Sequence, residues 1–146
     1  MENLKEPGIS LKHVMLLKAF IEAHNPKATQ QYNLQLVGLQ RTESEDGKSL
    51  FIQASFDLMH MIDTPMFKFT CDFAAYYERR NEESMAWKDF SSPVALAHIM
   101  PYLREFVNNI THRLPAPVLV LDPINTRAMI REYQQRPEAP QPPTVG

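Results

Sequence analysis

The chain has 146 residues, a formal net charge of −2 at pH 7 and 44% hydrophobic residues. This length fits one domain with a sizeable core, and the near-neutral charge gives no electrostatic reason to expect binding to nucleic acid or to an anionic membrane. The single cysteine excludes an intramolecular disulfide, and no apolar run reaches the roughly 20 residues of a membrane-spanning helix. Segment 1–8 is polar and has no apolar signal core, so we expect a flexible start and a cytoplasmic protein.

Alternating apolar and polar residues predict four strands in the first half of the chain. Over residues 9–22 the alternation predicts one apolar face, made by Ile9, Leu11, His13, Met15, Leu17, Ala19 and Ile21. The second strand is expected at about 32–42 and the third at about 50–60, and the Asp46-Gly47 turn between them favours antiparallel pairing. The inner face of the third strand is predicted to be Leu50, Ile52, Ala54, Phe56 and Leu58. The fourth, from Phe67 to Tyr77, has an aromatic face opposite Asp72.

Two helices are predicted in the second half of the chain. Spacings of three and four residues define an apolar stripe, made by Leu96, Ile99, Leu103, Phe106, Val107, Ile110 and Leu114. Pro101 either kinks this helix or marks the start of its main part. Pro115 and Pro117 end it, and residues 118–121 form an extended apolar connection. Asp122-Pro123 then predicts the start of a second helix that continues to Tyr133, with an apolar side made by Ile124, Ala128, Met129 and Tyr133.

Strands followed by helices indicate an α+β fold. We expect a four-stranded antiparallel meander, a long amphipathic helix, a proline-flanked extended connection and a second helix, all within one domain over residues 9–136. Residues 137–146 are rich in proline and lack apolar periodicity, so we expect a disordered tail.

Residues that usually carry catalysis or bind metals are scattered in this sequence. The five histidines lack the short spacing of a helical metal pair. Cys71 lies in the middle of a predicted strand, where a small buried hydrophobic residue is a better interpretation than a nucleophile. The chain has four glycines and no glycine-rich phosphate loop. The sequence therefore predicts a protein that is not an enzyme and uses no metal or cofactor.

The abundance of apolar and aromatic residues is the more informative feature. It comprises the fourth-strand aromatics, the eight methionines and the apolar connection at 118–121. Such residues could line an adaptable groove for extended peptides, but they could equally form a core or a subunit interface. Two other classes of protein stay open at this point: a small-ligand-binding or enzymatic domain that uses the hollow between sheet and helices, and a purely structural oligomer.

One ordered set of residues points to a family. It comprises Pro101-Tyr102-x-Arg104-Glu105, then Arg113, then Pro117-x-Leu119-x-Leu121-x-Pro123-x-Asn125-x-x-Ala128. This set, with Phe69-x-Cys71-Asp72-Phe73 on the fourth strand, resembles SecB, the export chaperone that holds unfolded preproteins. The resemblance implies an ATP-independent holdase for unfolded or extended polypeptides, whose clients would be preproteins for Sec-dependent export.

The resemblance also implies particular sites. A client groove would be lined by Phe69, Cys71, Phe73, Leu119, Leu121 and Ile124. Glu22 and Asp72 correspond to acidic positions that contact the translocase motor SecA in the family. The chain would form a homotetramer, as a dimer of dimers, through the first strand and through Leu96, Ile99, Leu103, Phe106, Val107 and Ile110.

Several positions depart from the family pattern. Lys18 and Thr70 replace an acid and a leucine at the other two motor-contact positions, and Thr126 and Arg127 stand where phenylalanine and aspartate are usual. The connection at residues 24–31 is shorter than usual and has no tryptophan. These departures leave open a divergent SecB-like chaperone that is dedicated to a narrow partner such as an antitoxin.

Overall fold

The computed structural model describes residues 8–23, 33–58, 67–80, 84–114 and 119–135. Its main elements are β1 (Ile9–Ala23), β2 (Leu34–Glu43), β3 (Ser49–Leu58), β4 (Phe67–Arg79), α1 (Ser92–Thr111) and α2 (Thr126–Gln135). Four antiparallel strands followed by two helices confirm the predicted α+β class. The predicted proline-rich tail and the connection at 24–31 lie outside the described residues.

The four strands form one sheet in the order β1-β4-β3-β2. Strands β2, β3 and β4 make the predicted meander, with Gly47 at φ 70° in the first hairpin. The predicted position of β1 beside β2 is wrong, because β1 pairs along β4 instead. Residues 24–33 are more than the roughly two to five residues of a hairpin loop, so the connection does not force β1 and β2 to be neighbours.

The simple alternation predicted for β1 is wrong, because two bulges interrupt it. The register of β1 with β4 shifts between Leu11 and His13 and again between Leu16 and Lys18. Each bulge adds one residue and moves the following side chains to the opposite face. The β1 residues that lie opposite the core-facing positions of β4 are therefore Leu11, Val14, Leu16, Ala19 and Ile21.

The core lies between one face of the sheet and α1. On β3 the predicted inner face is confirmed, because Leu50, Ile52, Ala54, Phe56 and Leu58 are all buried. The adjacent face of β4 contributes Phe69, Cys71, Phe73, Ala75 and Tyr77. Helix α1 closes the core with Leu96, Ile99, Leu103 and Val107. The apolar stripe predicted for the first helix is thus its core-facing side.

Both helices differ in detail from the sequence prediction. Helix α1 begins at Ser92, so Pro101 lies inside it, on the exposed side. Helix α2 does not begin at Asp122-Pro123, but at Thr126. The side-chain oxygen of Asn125 accepts a hydrogen bond from the amide of Ala128 at 3.1 Å. Asn125 therefore caps the helix, which leaves residues 119–125 as a non-helical connection.

An arginine on β2 fixes the segment that leads into α1. The guanidinium of Arg41 donates hydrogen bonds to the carbonyl oxygens of Trp87, at 2.6 Å, and Phe90, at 2.7 Å. The indole nitrogen of Trp87 donates in turn to the carbonyl of Gly47 in the β2–β3 hairpin, at 2.8 Å. These contacts hold the start of α1 against the β2 side of the sheet.

Candidate functional site

The aromatic face of β4, which was predicted to line a groove, is covered by α1. The ring of Phe106 lies 5.7 Å from that of Phe69 and 6.1 Å from that of Phe73, measured between ring centroids. Cys71 lies between these two phenylalanines on the same buried face. Burial, with a smaller contribution from the charge of Asp72, raises the pKa of the Cys71 thiol to about 12. The thiol therefore stays protonated, as expected for a buried hydrophobic residue and not for a nucleophile.

The connection between the helices, which we call the strap (residues 119–125), lies against α1. Leu119 and Leu121 are buried, whereas Val120 between them is 63% exposed. This alternation is that of an extended chain with one face on the core. Two residues of α1 bond to the strap backbone: Thr111 accepts a hydrogen bond from the amide of Leu119 at 3.0 Å, and Arg104 donates one to the carbonyl of Leu121 at 3.2 Å.

A cavity of about 270 Å³ opens between the strap, α2 and the first residue of β2. It is lined by Leu34, Asp122, Pro123, Ile124, Asn125, Ala128, Met129 and Glu132. The lining is apolar in the main, with polar groups contributed by the strap and α2. Of the six residues predicted to bind clients, only Ile124 is among those that line this cavity; the other five are buried in the core.

Leu34 and Met129 are cavity residues that sequence reasoning did not assign to a site. Leu34 carries a weak signal, since it is the first apolar residue of an edge strand. Met129 was predicted only as part of the apolar side of the second helix. Their proximity depends on how α2 packs beside β2, which the local sequence pattern does not encode.

The two acidic residues predicted to contact a motor protein lie on the sheet face opposite the core. In the β1–β4 ladder, Asp72 is the register partner of Lys18, and Glu22 is the register partner of Lys68. Opposite charges at facing positions of an antiparallel pair attract each other. Each of the two acids thus has a lysine as its cross-strand neighbour, which reduces the negative potential of this face.

The six predicted interface residues of α1 pack toward the chain's own sheet. Leu96, Ile99, Leu103 and Val107 are fully buried within the single chain, and Phe106 and Ile110 are partly buried. The exposed side of α1 carries other apolar groups, including Val94 and Tyr102. These groups form the part of α1 that a second copy could reach without unpacking the core.

One pair of ionisable groups lies close together beneath α1. The hydroxyl of Tyr77 is 2.8 Å from Nδ1 of His98. Burial raises the pKa of Tyr77 and lowers the pKa of His98, so both side chains favour their neutral forms. Neither residue lines the cavity. In the described parts of the chain, no three His, Cys, Asp or Glu side chains form a group that could hold a metal ion.

The sheet, the two helices and the strap define a SecB-like fold. A sequence model of the family described as "Preprotein translocase subunit SecB" matches residues 7–137. The chain therefore belongs to the SecB family, whose members are chaperones rather than enzymes. Among the helices that the structure describes, none is both long and apolar enough to cross a membrane.

Two solved structures are similar to this chain to different degrees. A SecB-like chaperone from Mycobacterium tuberculosis, in complex with a ChAD peptide from the HigA1 antitoxin, matches with a TM-score of 0.66 and 21% identity, covering 80% of this chain and 90% of that one. A protein of unknown function from Streptococcus agalactiae matches with a TM-score of 0.48 and 14% identity, over 78% and 96% of the two chains. No curated protein gives a significant sequence match.

Proposed function

We propose that this protein is an ATP-independent holdase that binds unfolded or extended polypeptides. The observation that carries the proposal is the cavity beside Ile124, with its mainly apolar lining, in a chain of the SecB family. Burying apolar side chains of an unfolded client there would stabilise the complex by about 25 cal/mol per Å² removed from water. Such binding needs no nucleotide, because association and release follow from the client's own folding.

The size of the cavity favours a polypeptide over a small ligand. At about 270 Å³ its volume is just below the roughly 300–1,000 Å³ typical of sites that enclose a small molecule. A cavity of this size suits one or two apolar side chains of a longer chain. An extended client would continue beyond it along the edge strand β2, which adds main-chain contacts and tolerates many sequences.

The proposed clients are preproteins destined for Sec-dependent export, and the proposed compartment is the cytoplasm. We propose a homotetramer, assembled as a dimer of dimers, through β1 and α1. The family description as a translocase subunit supports export. Exposed apolar side chains on β1 and on the outer side of α1, among them Phe20 and Tyr102, support association of copies. Contact with SecA through Glu22 and Asp72 belongs to the same proposal.

A dedicated chaperone for one partner, such as an antitoxin, is the alternative. The M. tuberculosis relative of this fold was solved with an antitoxin peptide. In this chain Lys18 is the register partner of Asp72, so the face that would meet SecA is less acidic than its two carboxylates alone suggest. A narrow partner would need no such face.

Aggregation suppression tests the proposal. A chemically unfolded, slow-folding reporter is diluted into buffer with the protein and without nucleotide, and light scattering is followed. We expect suppression by the wild type, a weaker effect of Ile124→Asp, and wild-type behaviour of the matched control Val120→Asp, whose side chain points away from the core on the same strap. If the protein suppresses the aggregation of a preprotein and of an unrelated reporter alike, a general export holdase is favoured. If it suppresses the aggregation of one partner only, the dedicated alternative is favoured. Absence of suppression by the wild type at several-fold excess would refute the general holdase.

A further inference from the structure

Two residues of α1 hold the wall of the cavity in place. We infer that Arg104 and Thr111 are positioning residues that hold the strap against α1 and thereby preorganise the cavity for an extended client. We call these two residues the latch. This inference rests on the proposed function. It concerns residues that do not line the cavity, and therefore predicts an effect on client binding from a distance.

Thr111 is the better-defined half of the latch. Its side chain is fully buried. The hydroxyl lies 2.9 Å from the carbonyl of Val107 and 3.2 Å from that of Asn108, either of which can accept its single hydrogen. Its lone pairs accept the amide hydrogen of Leu119 at 3.0 Å. The strap backbone therefore depends on this one oxygen for a buried hydrogen bond, and an unsatisfied buried amide is costly.

Arg104 holds the strap at a second point. It lies seven residues before Thr111, two turns or about 10.5 Å along α1. Its Nε donates to the carbonyl of Leu121, so the two bonds engage alternate residues of the strap. Both bonds go to backbone atoms, and they hold the chain with Leu119 and Leu121 facing inward.

The other end of the cavity wall is also fixed. The hydroxyl of Thr126, at the start of α2, donates to the carbonyl of Pro93 near the start of α1, at 3.0 Å. The cavity-lining residues 122–125 thus lie between Leu121 and Thr126, each of which is hydrogen-bonded to α1. Loosening the latch would free one end of this span while α2 stays attached. A mobile wall must be ordered again when a client binds, which weakens affinity.

The test compares matched substitutions in the full chain. Thr111→Ser keeps the hydroxyl, whereas Thr111→Val keeps the shape and removes it. Arg104→Met keeps an unbranched side chain as far as the position of Nε and removes the hydrogen-bond donors. The readout is the dissociation rate of a fluorescein-labelled, apolar unfolded peptide, followed by anisotropy well below each variant's melting temperature. A residue that only stabilises the fold would change the melting temperature and leave this rate unaltered.

We expect Thr111→Val and Arg104→Met to speed dissociation by about five- to tenfold, the size of one net hydrogen bond, and Thr111→Ser to stay within about twofold of the wild type. If Thr111→Val fails to fold, Arg104→Met decides, because Arg104 is only half-buried. Unchanged rates in the folded variants would overturn the latch and leave the proposed function standing. A wild type that binds no peptide would overturn both.

Discussion

Phe106 of α1 lies over Phe69 of β4, with ring centroids 5.7 Å apart and an interplanar angle of 54°. This contact places α1 over the aromatic face that was predicted to receive clients. A client that reached Phe69 would have to displace Phe106, whereas the cavity beside Ile124 is open without any displacement. The two candidate client surfaces therefore differ in whether binding requires the core to open.

The stability of the Phe69 contact can be measured directly. Because Phe69 is buried against Phe106, we expect Phe69→Ala to lower the free energy of unfolding by about 3–5 kcal/mol. Urea unfolding followed by the fluorescence of Trp87, the single tryptophan, gives this value. Val120 is 63% exposed, so Val120→Ala should stay within about 0.5 kcal/mol of the wild type. Equal, small effects of both substitutions would show that Phe69 is not part of the core.

Adjacent positions on α1 should respond in opposite ways to aspartate. Leu103 is fully buried within the chain, so Leu103→Asp should unfold it. Tyr102 is 46% exposed, so Tyr102→Asp should fold and, if α1 joins copies, should lower the mass measured by size-exclusion chromatography with light scattering. A folded Leu103→Asp protein of reduced mass would instead support the interface predicted from the sequence.

Stability should depend on pH through His98. Burial lowers the folded-state pKa of His98 from its ordinary value of 6.5, so the unfolded chain takes up the proton first as the pH falls. The contribution of neutral His98 to the stability of the fold is complete above pH 6.5. It is lost as the pH falls toward the folded-state pKa. Denaturant unfolding at pH 7.5 and pH 5 should show this loss. His98→Asn keeps a hydrogen-bond acceptor for Tyr77 and should reduce the difference in stability between the two pH values. An unchanged difference would show that another group causes the pH dependence.

Cys71 reports whether the aromatic face opens. With its pKa raised to about 12, only about one thiol in ten thousand is ionised at pH 8, and the side chain is buried. We expect a thiol-specific chromogenic reagent to modify the native protein far more slowly than the urea-unfolded chain. A client that occupies only the cavity should leave the native rate unchanged. Faster modification in the presence of client would show that Phe106 moves away from the face.

The parts of the fold that follow from local periodicity were predicted from the sequence. The alternation on β3 and the stripe of α1 each depend on residues within one element, and both face the core as expected. The start of α2 was missed because Asp122 and Asn125 are both suitable caps, and the choice between them depends on the strap packing against α1. The cavity and the latch join residues that are distant in sequence, which a periodicity cannot encode.

Strand β1 shows a different limit of sequence reasoning. Leu16 and Leu17 are adjacent and both apolar, so either parity satisfies an alternating pattern. A bulge between Leu16 and Lys18 changes the face, and it depends on the pairing with β4, which the sequence of β1 does not specify.

The bulges of β1 also affect how readily the protein aggregates at high concentration. A 15-residue strand at the edge of a sheet would offer a long row of backbone groups to any other unfolded chain, a hazard for a protein that meets such chains. The register shifts divide the ladder into runs of three, four and six residues: Ile9–Leu11, His13–Leu16 and Lys18–Ala23. Each interruption twists the edge and breaks the regular hydrogen-bonding pattern, so uncontrolled growth of β-aggregates along this strand is disfavoured.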